Sequence, residues 1–133
     1  MNCNYQGAIT ETQIILECLK REIDVSIPYG NKSRYDLIMD INNKLYRIQI
    51  KTSRQAKTQG EAFIFNCYSV VNKTKHRYAK DEIDYFATTW NDNLYLIPVE
   101  ECSSEKTLWI DEPKLANCCK ANQYLFEEVI KTL

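Results

Sequence analysis

The sequence predicts a mixed α/β (α+β) domain, with helices packed on a mixed β-sheet. Three observations carry this. The elements run helix, several strands, then helix. The strand segments alternate apolar and polar residues, whereas the first and last segments follow the helical period. The chain has 133 residues with 44% hydrophobic content, and it contains no internal repeat, low-complexity tract or Pro/Gly-rich linker. One domain spanning 1–133 with a real core is the expected organisation.

The segment "TETQIILECLKRE" fits a helix. Thr10 with Gln13 matches a capping box, and Ile14, Ile15, Cys18 and Leu19 share one stripe at about 100° per residue. Glu11 falls within that stripe. Carboxylates are common at helix starts because they suit the dipole, but this alone does not explain one aimed at the core side. "VSIPYGNKS" leads into a strand, "RYDLIMDI". Asn42 and Asn43 signal a turn, since Asn tolerates positive φ, and "KLYRIQIKTS" returns as the second strand. "RQAKTQGE" reads as a polar loop, "AFIFNCYSV" as a third strand and "VNKTKHRYAKDE" as a basic connection. "IDYFATTW", a turn at "NDN" and "LYLIPVEE" form another hairpin. "TLWI" is a short strand suited to a sheet edge. "KLANCCKANQYLFEEVIKTL" is expected to be a C-terminal helix, with Asp111, Glu112 and Pro113 at its approach.

No apolar run approaches the ~20 residues of a bilayer span. The first ten residues show no basic and apolar leader pattern, so a cytoplasmic location is expected. The six cysteines form no C-x-x-C pair and the chain has one histidine, His76. That argues against zinc and for reduced, mostly buried thiols.

The net charge of −1 conceals a strong asymmetry. Residues 44–80 carry nine Lys/Arg and one acid, while residues 81–133 carry four Lys/Arg and eleven acids. A basic block of this kind is an electrostatic footprint for phosphates, or a surface that folding mixes with acidic neighbours.

The Asn42–Asn43 turn permits a register argument. A two-residue loop pairs Ile41 with Lys44 and sets Asp36 opposite Gln49. A four-residue loop sets Asp36 opposite Lys51. Both put Asp36, Gln49 and Lys51 on one face, because side chains alternate with period two. A carboxylate, an amide and an ammonium on one face suit metal-assisted phosphodiester hydrolysis. Asp36, the Gln49 side-chain oxygen and the backbone carbonyl of Ile50 would hold Mg²⁺, with Mn²⁺ as a substitute, and Glu11 would add an oxygen directly or through water. Lys51 would orient or deprotonate the attacking water. As a bare pattern, D-x(12)-Q-x-K also arises in any amphipathic hairpin.

At these residues the sequence resembles the PD-(D/E)XK nuclease superfamily, in particular its branch of group I intron-encoded homing endonucleases. The matching stretches are "GAITETQIILECLKR", "VSIPYGNKSRYDLIMDINNKLYRIQIKTS", "FNCYSV" and "DEIDYFATTWNDNLYLIPVEE", which cover most of residues 7–101. The resemblance implies a restriction-endonuclease-like core and Mg²⁺-dependent cleavage of double-stranded DNA. By position it assigns catalytic roles to Glu11, Asp36, Gln49 and Lys51. Two departures stand out. Tyr35 replaces the motif's proline, at a permissive position. Gln49 replaces the usual second acid, as it does in that branch, and leaves open whether one metal binds or two.

Arg34, Arg47, Ser53, Arg54, Lys57, Lys73, Lys75 and Arg77 are candidate DNA contacts, with His76 and Lys80 in the same basic stretch; Arg47 also reads as a wet strand face. Asn66 reads as strand filler or as a residue facing the site. Tyr78, Tyr85, Tyr95 and Trp109 read as core or partner contacts. Cutting both strands with one site per chain implies a homo-oligomer, dimer or tetramer. Residues 102–133 are the expected assembly element, through Leu125, Phe126 and Ile130. Two rival functions are a structure-selective nuclease resembling a Holliday junction resolvase, and a non-catalytic DNA-binding module with a nuclease fold.

Overall fold

The computed structural model describes residues 2–30, 32–111 and 118–133. The chain opens with α1 (Cys3–Lys20), capped by the Asn2 side chain, which accepts from the Asn4 N–H at 2.8 Å. The helix therefore starts a full two turns before the predicted capping box. Thr10 lies buried in mid-helix, and its hydroxyl donates back to the Gln6 carbonyl at 3.0 Å. This is the usual fate of an interior threonine. "CNYQGAI" contains no proline to stop the helix from running through it. Thr10, Ile14 and Cys18, each four apart, form the buried face. Of the predicted stripe, Ile15 packs at the margin of the core and Leu19 is exposed.

Nine of the following segments build two sheets. The first contains β1 (Asp24–Ser26), β2 (Leu37–Ile41), β3 (Lys44–Ile50), β8 (Tyr85–Trp90) and β9 (Asn93–Pro98), in the order β1-β2-β3-β8-β9. Neighbours run antiparallel except β3 and β8, which are parallel. The second contains β4 (Arg54–Gln55), β5 (Ala62–Asn66), β10 (Glu105–Trp109) and β11 (Cys119–Lys120), in the order β11-β10-β5-β4. A parallel pair needs a long crossover. Here the crossover from β3 to β8 contains β4, β5 and a separate two-stranded ribbon, β6 (Tyr68–Val71) with β7 (Thr74–Arg77).

The β2–β3 register is the one that a two-residue loop dictates. Ile41 pairs with Lys44 and Leu37 with Ile48. Asn42 and Asn43 take φ of 53° and 64°, the two positive values of a type I′ turn, whose twist matches the flanking strands. Asn72–Lys73 and Asn91–Asp92 repeat the device with all four φ positive.

The first sheet is covered on both faces. On one, Leu37, Met39, Ile41, Tyr46, Ile48, Ala87, Leu94 and Leu96 pack against Ile14 and Cys18 of α1 and against Phe126. On the other, Phe86, Tyr95 and Ile97 pack against Phe63, Phe65 and Leu108 of the second sheet. Strands β8 and β9 are thus buried on both sides, which explains their near-continuous apolar runs.

Several expected elements differ. "AFIFNCYSV" is broken at Cys67 into β5 and β6, and "VNKTKHRYAKDE" is half of the ribbon rather than a connection. Polar residues form strands there because the pairing, not a core, holds them. β10 lies inside its sheet, between β5 and β11, not at an edge. The predicted C-terminal helix gives way to β11, a 3₁₀ turn over Ala121–Tyr124 and a short α2 (Phe126–Ile130); its first residues, 114–117, lie outside the described residues, as do Glu112 and Pro113. Phe126 is 1% exposed and Leu125 and Ile130 pack on the core, so these three side chains anchor the end of the chain rather than form an outward apolar patch. The cysteines are all free thiols, with Cys18 and Cys67 buried, Cys3 exposed and Cys102, Cys118 and Cys119 between. Among the described residues, no helix is long and apolar enough to cross a membrane.

Asn43→Gly should stabilise the protein modestly by fitting the positive φ without a Cβ. Asn43→Ile should cost about 1–2 kcal/mol through left-handed strain. Urea unfolding midpoints of the two variants, moving in opposite directions, check this.

Candidate active site and nucleic-acid interface

The site forms where β2 and β3 part. The ladder ends at Leu37–Ile48, one residue after Asp36. Beyond it, the Asp36 N–H donates to the Ile48 carbonyl at 2.7 Å, and the Asp36 carboxylate accepts the Ile50 N–H at 2.8 Å. The side chain thus takes the place of a missing strand partner. On its other edge β3 is held by β8, through Lys51 N–H donating to the Ala87 carbonyl at 2.9 Å. In an extended strand the N–H and C=O of one residue point to the same side. The Ile50 carbonyl therefore points into the gap that Asp36 spans, where the Gln49 side-chain amide contacts it at 3.5 Å.

Lys51 extends from the end of β3 and donates to the Tyr68 carbonyl at 2.9 Å, with its ammonium 5.1 Å from the Tyr78 ring centre. Burial pushes its pKa down, against the pull of the Asp36 charge. Burial pushes Asp36 up, opposed by the Ile50 N–H bond and by Lys51. Each group is thus moved toward its neutral form by desolvation and back by the other. Among the described residues they form no direct ion pair.

Asp36, Gln49, the Ile50 carbonyl and Lys51 are brought together at this strand end. Glu11 sits half-buried on α1 with no hydrogen bond or ion pair among the described residues. Its neighbour Thr10 meets Thr52 hydroxyl to hydroxyl at 3.4 Å. The helix therefore reaches the end of β3 one residue past Lys51. A cleft of about 530 Å³ opens there, lined by Gln6, Ile9, Thr10, Thr52, Ser53 and Arg54. The oxygen donors at this strand end, a carboxylate, a backbone carbonyl and an amide, suit a hard divalent cation such as Mg²⁺, while no contact among the described residues ties Glu11 to them.

The candidate DNA contacts divide into two groups. Arg34 binds Glu82 at 2.9 Å, the Ser69 hydroxyl at 2.7 Å and the Arg77 carbonyl at 2.8 Å, with its guanidinium 3.9 Å over Tyr78. Arg47 binds Asp84 at 3.3 Å and the Lys80 carbonyl at 3.1 Å. Arg54 pairs with Glu105 at 3.0 Å, and the Ser53 hydroxyl bonds to buried Thr88 at 2.6 Å. These side chains already have partners within the fold. Lys57, Lys73, Lys75 and Arg77 are exposed and form no ion pair among the described residues. Folding therefore mixes Arg47 and Arg54 of the basic block with acids from the C-terminal third, but leaves Lys57, Lys73, Lys75 and Arg77 without such a partner among the described residues.

Sequence reasoning missed the roles of Arg34 and Tyr78. Tyr78 meets Phe86 edge-on with ring centres 5.5 Å apart and is flanked by two cations, Arg34 and Lys51. No local spacing signals this, since the three partners come from three other segments of the chain. Asn66 carries a buried Oδ1 without a hydrogen-bond partner.

A mixed sheet with a helix on one face, and an Asp and a Q-x-K motif meeting where two strands diverge, defines a nuclease-type architecture. The PD-(D/E)XK endonuclease family model matches residues 1–125, and the chain belongs to that family. Members of this family generally use divalent metals, and their fold implies a DNA substrate. Among solved structures the fold is similar to that of a bacterial homing endonuclease, I-Ssp6803I, at a TM-score of 0.80 and 18% identity, covering 99% of this chain and 95% of that one. No curated protein matches the sequence.

Arg47→Ala should destabilise the protein by about 1–3 kcal/mol by leaving Asp84 without its charged partner. The salt dependence of DNA binding should stay unchanged. Urea titration beside binding at several salt concentrations separates these two effects.

Proposed function

We propose that the chain is a metal-dependent, site-specific DNA endonuclease of the intron homing type. The carrying observation is the Asp36 carboxylate spanning the open strand end toward Ile50, with Lys51 half-buried beside it. Family membership supports nuclease chemistry, and the likeness to a homing endonuclease supports the finer reading.

Asp36, the Ile50 carbonyl and the Gln49 side-chain oxygen would hold Mg²⁺ or Mn²⁺, with Glu11 adding an oxygen directly or through water. When bound, the cation supplies Lewis-acid stabilisation of the scissile phosphate. Lys51 takes a proton from the attacking water as the new P–O bond forms and the bond to the leaving sugar oxygen breaks. That oxygen collects a proton from solvent. A Lys51 pKa lowered by burial serves this role, because the neutral amine is reached nearer to working pH than in a free lysine. Once it has taken that proton, Lys51 is an ammonium that offsets the negative charge on the phosphate. Two strands need two sites, so the active species contains at least two chains.

Asp36→Ala and Lys51→Ala should each lower single-turnover cleavage of a linear target by roughly 10²–10⁴-fold. Cleavage of four-way junctions only, by the wild type, points instead to a junction-selective enzyme. DNA binding with no cleavage in Mg²⁺ or Mn²⁺ points to a non-catalytic module.

The wild-type rate should rise with pH from the acid side for two reasons. Asp36, with its raised pKa, ionises later than an ordinary carboxylate, and Lys51 must lose its proton. Lys51→Arg, which stays protonated, should abolish the Lys51 part of this rise. A wild-type rate flat across pH 6–9 rules out Lys51 as the base.

Gln49→Glu adds a negative charge beside Asp36 and should tighten Mn²⁺ binding by calorimetry. Unchanged or weaker binding would show that Gln49 does not face the cation.

A further inference from the structure

We propose that the β6–β7 ribbon is a DNA-reading arm that enters the major groove, and that its base is anchored on the catalytic lysine. This rests on the nuclease reading only for the kind of polymer bound.

Shape is the first argument. The ribbon is a sheet of its own, with Tyr68 paired to Arg77 and Val71 to Thr74. Every residue of β7 is exposed, and Val70 and Val71 are 60% and 53% exposed, while Tyr68 and Ser69 at the root are half-buried, so the outer half of the ribbon stands clear of any core. Four paired residues at about 3.3 Å each give a ribbon roughly 13 Å long, with its turn at the outer end. The major groove is about 8.5 Å deep and 12 Å wide, and it admits a two-stranded ribbon, whereas a minor groove about 6 Å wide does not.

Charge is the second. Residues 68–80 include Lys73, Lys75, His76, Arg77 and Lys80 and no acid. Lys75 and Arg77 lie on one face, because Lys75 opposes Val70 and Arg77 opposes Tyr68. Lys75 is laid over the Tyr68 ring at 4.5 Å. Lys73 occupies the tip, in a turn whose Asn72 and Lys73 have φ of 50° and 64°. Unlike Arg34, Arg47 and Arg54, none of these three is paired with a carboxylate among the described residues.

Anchorage is the third. The Arg34 guanidinium binds Ser69 Oγ at 2.7 Å and the Arg77 carbonyl at 2.8 Å, and the Cys67 N–H donates to the Ser104 carbonyl at 2.9 Å. Lys51 donates to the Tyr68 carbonyl, the first of β6. The arm's root is therefore fixed to the strand end where Asp36 lies. Engagement of the tip with base edges sets the position of the scissile phosphate relative to Lys51. Lys73 and Lys75 serve as phosphate or base contacts, and Arg77 has the fork that reads guanine O6 and N7.

The test uses the full chain in EDTA, so that binding is read without cleavage. The probe is a duplex pool with a randomised 30-bp centre. Wild type and the triple variant Lys73→Ala, Lys75→Ala, Arg77→Ala are compared, with circular dichroism confirming that the exposed substitutions leave the fold intact. The triple variant should bind at least about tenfold more weakly at moderate salt. Its slope of log K against log salt should be smaller by up to roughly 3. The sequence consensus selected by the wild type should become degenerate at the positions that Arg77→Ala alone relaxes. Methylation of guanine N7, in the major groove, should interfere with wild-type binding at those positions. The inference is overturned if the variant matches the wild type in affinity and consensus, if only adenine N3 methylation in the minor groove interferes, or if the wild type binds no duplex. Ribbon-dependent binding by a wild type that cleaves nothing in Mg²⁺ or Mn²⁺ would support the arm while sinking the nuclease reading.

Discussion

The hydrogen bond from the Ile50 N–H to the Asp36 carboxylate is the constraint on which the site depends. An unpaired N–H at the open end of a strand would ordinarily go to water. Here a side chain takes it, and this fixes three things at once. It holds the carboxylate in a set place, it leaves the Ile50 carbonyl directed into the same gap, and it makes the strand end tolerable without a third residue of β2. The one-residue difference between where β2 begins and where β3 ends thus converts ordinary hairpin geometry into a cluster of oxygen donors.

The same place is electrostatically poised. Asp36 and Lys51 are both desolvated, and each moderates the other's shift. Two half-buried opposite charges that make no direct ion pair are weak evidence of stabilisation. On the proposed reading they would be held ready at the edge of solvent, where a cation and a phosphate would complete the charge balance. The arginines do different work. Arg34 and Arg47 tie the ribbon root and the 79–84 segment to the sheet, and Arg54 pairs with Glu105, so these arginines serve the fold while the cations of the ribbon stay without a carboxylate among the described residues.

The shared face of Asp36, Gln49 and Lys51 was legible because both loop lengths that suit Asn42–Asn43 preserve it; which of Gln49 and Lys51 stands opposite Asp36 was not, and the two-residue turn decides it for Gln49. The start of α1 was not legible. A plausible capping pattern at Thr10 lies inside a longer helix whose real cap, Asn2, is two turns upstream. Of the ribbon, Tyr68 to Val70 read as the end of the third strand, but β7 did not read as a strand, because all its residues face water and lack the alternation that marks one. Lys51 was placed by its motif, but its contacts were not, since Tyr68 and Tyr78 reach it only through the crossover. The C-terminal segment read as helical because "QYLFEEVI" has the right period. In the fold, Tyr124 and Phe126 are instead taken into two different apolar clusters, which breaks the helix into a turn and a short piece.

The crossover between β3 and β8 has one more consequence. A helix in that position would be fixed in length by the sheet it covers. A free hairpin closed by a two-residue turn is not. Adding one residue to each strand lengthens the ribbon by about 3.3 Å and reverses which face the tip presents; adding two restores it. Neither change touches Arg34's grip on the root or the bond that Lys51 makes there. On the proposed reading, a lineage of such chains would explore new target sites in discrete steps of reach and presented face, while the strand end carrying Asp36 and Lys51 is inherited untouched.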